Sequence, residues 1–362
     1  MGFCTTRSMA TALVTAAALA LTACGSEPGT FDPAATSSDV NAMTGAFESP
    51  VIQSFAAAAG SVDAVTAARA GFTVGQLQSA TSRSRDAARY ISRVRSVLGT
   101  PAAGLSASSA SIPPEALGKT FVYNTAEDRY VASDRAGAPG DGVRLVLYAV
   151  NPVTGQIAEP LNEIGYADVV VDEGSSSLSA QVTVVSGGIT YLDYEVEVSG
   201  SGSGGRILVD GFITNGVDRA DFRLDNTVAF SGDMSGQFTL DYSIEVPSRD
   251  LSFDFDMTIE GDGVTGDGTI TLSLELSGPN GRVDLAGNYS TAAAGTLDVD
   301  VNGDDFATIN ITAESTTETT IEIVGANGNA LTEAEREALE NIFDAFEDGF
   351  DVFEDLLRPI GM

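Results

Sequence analysis

The sequence contains no histidine and no tryptophan. Without histidine, the chain lacks the Ser–His and Cys–His pairs that activate nucleophiles and the histidine ligands typical of zinc and haem sites. Without tryptophan, an aromatic platform for sugars would depend on tyrosine and phenylalanine alone. These two absences argue against most hydrolytic, zinc-dependent and carbohydrate-binding functions.

Cysteine is scarce as well, and both copies, Cys4 and Cys24, lie near the N-terminus. A short segment carrying Arg7 precedes an apolar run over 9–21, which is too short for a good transmembrane helix and is typical of a signal-peptide core. The stretch that follows is Leu21-Thr22-Ala23-Cys24. It resembles the lipobox of bacterial membrane lipoproteins.

This resemblance covers the signal region and implies cleavage before Cys24, diacylglyceryl attachment to its sulfur and N-acylation, for example by palmitate. Gly25 follows in place of an aspartate, so no inner-membrane retention signal is evident. We therefore expect a lipid-anchored protein of the bacterial cell envelope, on the periplasmic face of the outer membrane or on the cell surface. Two alternatives remain open: an ordinary secretory signal followed by a thiol at Cys24, or myristoylation at Gly2 with palmitoylation of Cys4.

Positive charge is rare after the N-terminal third. The chain has a formal net charge of −33, and the residues after Lys119 hold 10 basic against 44 acidic residues, a net charge of −34. Nucleic acids and anionic membrane surfaces are therefore unfavourable partners for this part of the chain. Polycations, divalent ions or a saline habitat fit this charge better.

Composition and hydrophobic periodicity divide the chain into six segments. A polar Pro/Gly/Ser stretch follows the signal peptide, and an Ala/Ser/Pro linker follows the N-terminal helical segment. The predicted segments are a lipoprotein signal peptide (1–23), a flexible tether (24–40), a helical segment (41–99), a linker (100–118), an antiparallel β domain (119–328) and an amphipathic helix (329–362).

Within the helical segment, residues 76–98 combine a narrow, alanine-rich apolar stripe with arginines on the other faces. Such a helix could lie on anionic headgroups near the lipid anchor. The alternative, which the narrow stripe favours, is a packing helix whose arginines face the acidic domain. These arginines are Arg83, Arg85, Arg89, Arg93 and Arg95.

The β domain alternates apolar and polar residues in nearly every segment, and Gly/Asn/Asp clusters interrupt it every ten to fifteen residues. This pattern predicts a long antiparallel meander with one buried and one solvated face. The expected fold is α+β and mostly β: a curved sheet or half-barrel packed on the C-terminal helix, with further helices at the N-terminus. A β-solenoid is the alternative, although no fixed repeat is visible.

The C-terminal segment has the signature of a capped amphipathic helix. Thr332 is a suitable N-cap, and Glu335 three residues later completes a capping box. One apolar stripe follows, and we expect the sheet to curl around it. The stripe consists of Leu339, Ile342, Phe343, Phe346, Phe350, Phe353 and Leu357.

Residues 298–303 read D-x-D-x-N-G, the first half of a calcium-binding loop. The twelfth position of such a loop requires an acidic residue, and here it is Ile309. Because Leu297 and Val299 alternate with the aspartates, the stretch is better interpreted as a strand. A two-residue turn at Asn302-Gly303 would mix the two faces of the hairpin, so the register predicts a longer loop over 302–306.

The same apolar register places acidic residues opposite one another on the solvent face. It predicts the pairs Asp241–Asp256, Asp254–Glu275 and Glu275–Asp284. Neighbouring strands lie about 4.8 Å apart, so these carboxylates lie close to one another. Like charges directly opposite are destabilising, and a bound divalent cation would relieve the repulsion. The five residues are therefore candidates for a calcium site, the alternative being a plain solvated face. Cys24 is the predicted lipidation site, and no catalytic residue is predicted.

These features predict a non-catalytic structural or interaction role, with the membrane contacted through the lipid on Cys24. The phosphate-loop, nucleophile-elbow and metalloprotease motifs are all missing from the sequence. The alternative function is a carrier or chaperone that holds a lipid or another hydrophobic ligand in the concave face of the sheet.

Overall fold

A computed structural model of the protein describes residues 31–47, 49–60, 112–173, 177–201, 204–230, 235–262, 268–290, 294–313 and 319–342. Three α-helices lie within these ranges: α1 (Pro33–Thr44), α2 (Pro50–Gly60) and α3 (333–342). The predicted signal peptide, Cys24 and the arginine-rich helix over 76–98 lie outside the described residues.

Most of the described chain is β-structure. Fifteen strands follow one another: β1 (Lys119–Asn124), β2 (Arg129–Ser133), β3 (Gly142–Tyr148), β4 (Glu163–Glu173), β5 (Ser177–Ser186), β6 (Ile189–Ser201), β7 (Gly204–Thr214), β8 (Arg219–Phe230), β9 (Ser235–Val246), β10 (Leu251–Asp262), β11 (Gly268–Gly278), β12 (Gly281–Ser290), β13 (Ala294–Val301), β14 (Asp304–Ala313) and β15 (Thr319–Gly325).

These strands form one open sheet with β15 and β2 at its two edges. From β3 to β15 each strand pairs antiparallel with the next strand of the chain, and the exception to the antiparallel pattern is the parallel pair β1–β3. The predicted antiparallel meander is confirmed. The β-solenoid alternative is wrong, because sequence neighbours here lie side by side in one sheet.

Strict alternation gives the sheet one apolar and one polar face. Along β10, for example, Phe253, Phe255 and Met257 are buried whereas Asp254 and Asp256 are exposed. Each fully buried side chain of this size contributes roughly 1.5–3 kcal/mol relative to an exposed one. The apolar face therefore supplies the main driving force for folding, and it must be covered.

The described helices pack on this apolar face. Phe55 of α2 and Leu339 and Ile342 of α3 belong to the same buried core as the strands. In addition, Ser54 of α2 donates a hydrogen bond from its hydroxyl to the carbonyl of Tyr148 at the end of β3, at 2.6 Å. The expected packing of the sheet on the C-terminal helix is confirmed for the described residues, and the N-terminal helix α2 packs on the same core.

Helix α1 spans several strands at one end of the sheet. The ring of Phe31, just before α1, lies 4.7 Å from the ring of Phe306 in β14, and Asn280, between β11 and β12, donates to Asp39 at 3.1 Å. At the other end of the helix, Asn215 of the β7–β8 turn donates to the Gly45 carbonyl at 2.9 Å. The contacts of this segment therefore reach from the β7–β8 turn to β14 at one end of the strands.

Residues 33–40, predicted as part of the flexible tether, form the first two turns of α1 instead. The Asp32 side chain caps this helix by accepting from the backbone N–H groups of Ala34 and Ala35, both at 3.1 Å, and Pro33 occupies the first position. Likewise, the last residues of the predicted linker pack on the core, with Ile112 and Ala116 buried.

The predicted N-terminus of the C-terminal helix is confirmed in detail. The Thr332 hydroxyl accepts from the Glu335 N–H at 3.3 Å, while the Glu335 carboxylate accepts from the Thr332 N–H at 2.7 Å. This reciprocal arrangement is a capping box. The part of the predicted apolar stripe from Phe343 onward lies outside the described residues.

The predicted loop over 302–306 is wrong. Asn302 and Gly303 form a two-residue turn with φ values of +54° and +86°, the left-handed geometry typical of a type I′ hairpin. The apolar residues of the two strands nevertheless lie opposite one another, as Leu297–Ile309 and Val299–Ala307. A β-bulge reconciles the two, because Phe306 is an extra residue on β14 that restores the apolar register after the tight turn.

Candidate functional site

The predicted acidic pairs all form on the polar face. Asp241 of β9 lies opposite Asp256 of β10, and Asp254 of β10 lies opposite Glu275 of β11. Glu275 in turn lies opposite Asp284 of β12. The row continues from Asp284 to Asp300 of β13, so it reaches the D-x-D-x-N-G stretch; on the other side, Asp241 lies opposite Asp225 of β8.

Arginines that the register argument did not consider neutralise parts of these rows. Arg282 binds Asp284 at 2.6 Å and Glu275 at 3.1 Å. Asp225 accepts from Arg206, whose Nε lies 2.7 Å away, and from Arg223 at 3.3 Å. Each of these arginines lies either two residues from its carboxylate on the same strand or on the adjacent strand. Because alternation places such residues on the same face, it is the sequence signal that could have revealed these ion pairs.

The pKa values of these aspartates distinguish the carboxylate that has arginine partners from those that repel one another. The pKa of Asp225 is lowered, chiefly by the hydrogen bond from Arg206. By contrast, the pKa of Asp241 is raised by partial burial and by its neighbour Asp256. The pKa of Asp254 is raised by partial burial and by the negative charge of Glu275 and Glu245.

The acidic rows do not converge on an ion. Side chains on one face of a sheet point in parallel, about 4.8 Å apart across strands and roughly 7 Å apart along them. Among the residues that the structure describes, no group of three or more Asp, Glu or Cys side chains is arranged to hold a metal ion. In the D-x-D-x-N-G stretch, the side-chain oxygen of Asn302 accepts from the backbone N–H of Arg282 at 2.9 Å, so it links the turn to β12.

A second feature of the polar face is a shallow groove of about 460 Å³ that crosses strands β5 to β9. We call it the polar-face groove. It contains none of the five acidic residues predicted from the register. Its charged residues are Asp193, Glu195, Asp210, Arg219, Asp221, Arg223 and Glu245.

One arginine in the groove is held by a ring and a carboxylate together. The guanidinium carbon of Arg219 lies 3.8 Å from the ring centroid of Phe212, and Asp221 accepts from its Nε at 2.8 Å. The same arrangement occurs on β3 and β4, where Arg144 lies 3.7 Å from the Tyr166 ring centroid and binds Asp168 at 2.7 Å. This face therefore binds guanidinium groups in a recurring way.

Three carboxylates of the groove have no arginine partner. Arg223 binds Asp225 at 3.3 Å and lies 3.6 Å from Asp210. Within the described part of the chain, Asp193 of β6, Glu195 of β6 and Glu245 of β9 form no ion pair. Asp193 accepts hydrogen bonds from Gln181 and Thr183, both at 3.3 Å, whereas Glu195 and Glu245 are exposed. The groove therefore presents a net negative charge. Two of its carboxylates, Glu195 and Glu245 on opposite sides, have neither an ion pair nor a side-chain hydrogen bond among the described residues.

Sequence reasoning missed this groove. One signal was available: Phe212 stands at a position of β7 that alternation assigns to the polar face, flanked by Asp210 on one side. An aromatic residue out of phase with its strand is a reason to look for a surface contact.

Comparison with protein-family models, with curated proteins and with solved structures finds no match to this chain. In the described ranges, no helix is both long and apolar enough to cross a membrane.

Proposed function

We propose that this protein is a lipid-anchored, non-catalytic protein of the bacterial cell envelope with a structural or interaction role. The observation that carries the proposal is the division of the sheet into two faces. The apolar face packs on the chain's own helices, whereas the polar face presents charged rows and a groove to the surroundings. A sheet built in this way acts through its polar surface.

The position of the acidic pairs supports a non-catalytic role. Hydrolysis by two carboxylates requires one acid in an enclosed site, where its proton is retained until it is transferred to the leaving group. Asp241, Asp254 and Asp256 are exposed on an open face instead. Their arrangement supports surface electrostatics better than proton transfer.

The carrier function remains the alternative proposal. It needs apolar surface left free for a ligand, whereas Val182, Val196 and Val209, at the centre of the apolar face, are fully buried. Native mass spectrometry of the protein purified from its own membranes tests this alternative. A stoichiometric lipid-sized adduct that survives delipidating washes would favour the carrier over the proposed role.

The anchor is tested by Cys24→Ser, with Cys4→Ser as the matched control. We expect C24S to lose incorporation of labelled palmitate and to move from the membrane to the soluble fraction, whereas C4S behaves as the wild type. Loss of the label in C4S with retention in C24S would support acylation at Cys4 and overturn the lipobox assignment.

A further inference from the structure

The polar-face groove has a charge pattern that calls for a cation from outside the described residues. Its lining contains five carboxylates and two arginines, and both arginines already have carboxylate partners. Of the other three carboxylates, Asp193 accepts hydrogen bonds from Gln181 and Thr183, whereas Glu195 and Glu245 have no side-chain partner among the described residues. Burying either against a neutral surface would be unfavourable, so any macromolecule that covers the groove must bring positive charge.

The chemistry of that cation follows from the rest of the face. Arg219 and Arg144 are each held by a carboxylate and an aromatic ring, and Arg206 binds Asp225 through two of its nitrogens. Carboxylates on this surface are therefore spaced and oriented for planar guanidinium groups. The metal alternative is weaker, because the described carboxylates do not converge.

The spacing of Glu195 and Glu245, the two groove carboxylates without a side-chain partner, defines the shape of the occupant. In the sheet register, Glu195 of β6 lies opposite Asp210 of β7, and Asp210 lies opposite Arg223 of β8. Arg223 lies opposite Ser243 of β9, and Glu245 lies two residues beyond Ser243 on that strand. Three strand spacings across and two residues along the strand place the two positions about 16 Å apart. In an extended chain, residues four apart point to the same side and lie about 13 Å apart, and arginine side chains easily cover the difference.

We propose that the polar-face groove binds an extended basic segment of a partner protein, with two arginines four residues apart that pair with Glu195 and Glu245. The proposal rests on the interaction role proposed above and names the partner's chemistry. Phe212 and the stacked Arg219 form the middle of the groove, where the backbone of the segment passes.

Calorimetric titration of the full chain, in a non-ionic detergent at low ionic strength, tests the proposal. The probe is an acetylated and amidated seven-residue peptide of serine and glycine, with arginine at its second and sixth positions. We expect binding that weakens as salt is added and that disappears when citrulline replaces both arginines, because citrulline keeps the shape and removes the charge.

The variant that locates the site is Glu195→Gln with Glu245→Gln. Its matched control is Glu197→Gln with Glu322→Gln, which removes two exposed carboxylates from the same face outside the groove. Two exposed ion pairs account for about a fivefold or larger loss of affinity in the groove variant, and we expect less than about a twofold loss in the control. Equal losses in both variants would overturn the proposal, since they would indicate non-specific attraction to an acidic face.

Two further outcomes also overturn it. One is equal binding of the arginine and citrulline peptides. The other is no binding by the wild type. If binding then appears when Arg83, Arg85, Arg89, Arg93 and Arg95 are replaced by glutamine, this chain's own segment is the occupant. Neither result affects the anchor assignment, because the C24S fractionation measures the membrane attachment and the titration measures the groove.

Discussion

Asp241 of β9 lies directly opposite Asp256 of β10, so two carboxylates of like charge occupy one cross-strand position. The side chain of Asp256 accepts from the Ser273 hydroxyl at 3.3 Å, and Asp241 also adjoins Asp225 in the next strand. Like charges placed in this way destabilise a sheet. This pair therefore makes an unfavourable electrostatic contribution to the stability of the folded protein.

Asp241→Asn is therefore expected to stabilise the protein at neutral pH by up to about 1 kcal/mol, and by less as salt is added. Because the pKa of Asp241 is raised in the folded state, its repulsion is present above that pKa and is relieved as the pH falls through it toward the ordinary value of 3.8. Urea unfolding over a series of pH values measures this. The advantage of D241N should vanish in acid; an advantage that grows in acid would contradict the assignment.

Asp172→Asn is the matched control for that series. Asp172 is an exposed aspartate on the same face, and it lies opposite Ser179. Its replacement changes the net charge by the same amount without removing a directly opposed carboxylate. If D172N and D241N were equally stabilised, the effect would come from net charge and not from the pair.

The interaction of Asp218 with Arg249, which joins the β7–β8 and β9–β10 turns, should show the opposite pH dependence. Asp218, in the β7–β8 turn, is nearly buried and accepts from Arg249 at 2.7 Å and from Ser248 at 2.9 Å, both in the β9–β10 turn. The hydrogen bond from Arg249 lowers the pKa of Asp218. Its stabilisation is thus complete above the unfolded pKa and is lost as the pH falls through the folded value.

Asp218→Asn is expected to lower the melting temperature by a few degrees at neutral pH, and this deficit should disappear in acid. Ser248→Ala removes one of the hydrogen bonds but keeps the ion pair, so we expect a smaller deficit. Circular dichroism melts of both variants and the wild type measure the difference. A deficit of D218N that persists at low pH would show that the turn depends on packing and not on the charge.

The Asn302 turn should be sensitive to both backbone and side-chain changes. Asn302→Ala is expected to cost about 1–2 kcal/mol, because alanine tolerates the φ of +54° poorly and cannot accept from the Arg282 N–H. Asn302→Gly accepts the backbone angle and loses only the hydrogen bond, so it should cost less. Equal losses in chemical denaturation would show that the left-handed angle contributes nothing.

Calcium should stabilise the protein no more than sodium chloride of equal ionic strength. The acidic rows point in parallel into solvent, and divalent ions there act by screening. Melting curves with millimolar calcium and with ionic-strength-matched sodium chloride test this. A saturable shift specific to calcium, abolished in D254N or E275Q, would instead support a cation site across the strands.

The meander and its register were predictable because alternation is strong. Once Phe255 and Leu274 are required to share a face, the positions of Asp254 and Glu275 follow without further information. Three cross-strand pairs of acidic residues could be named in this way. Local pattern was sufficient because a shift of one residue would expose every apolar side chain.

The failures have equally physical causes. The Asn302-Gly303 turn was rejected because alternation alone allows no extra residue, and the bulge at Phe306 is stabilised by a contact with Phe31, far away in sequence. The first two turns of α1 were missed because this helix is short and weakly amphipathic, and its partners Asn215 and Asn280 are likewise distant. The charge pattern of the groove depends on which carboxylates pair with arginines, and these pairings are set by the folded sheet.

Helix α1 also determines how a mechanical load enters the domain. Six residues separate Cys24 from Phe31, so in the proposed anchored form any pull from the membrane arrives at α1 first. Its contacts with the β7–β8 turn, the β11–β12 turn and β14 distribute that pull over the ends of several strands. Tension would then shear many ladder hydrogen bonds together, whereas a pull on an edge strand would unzip them one by one.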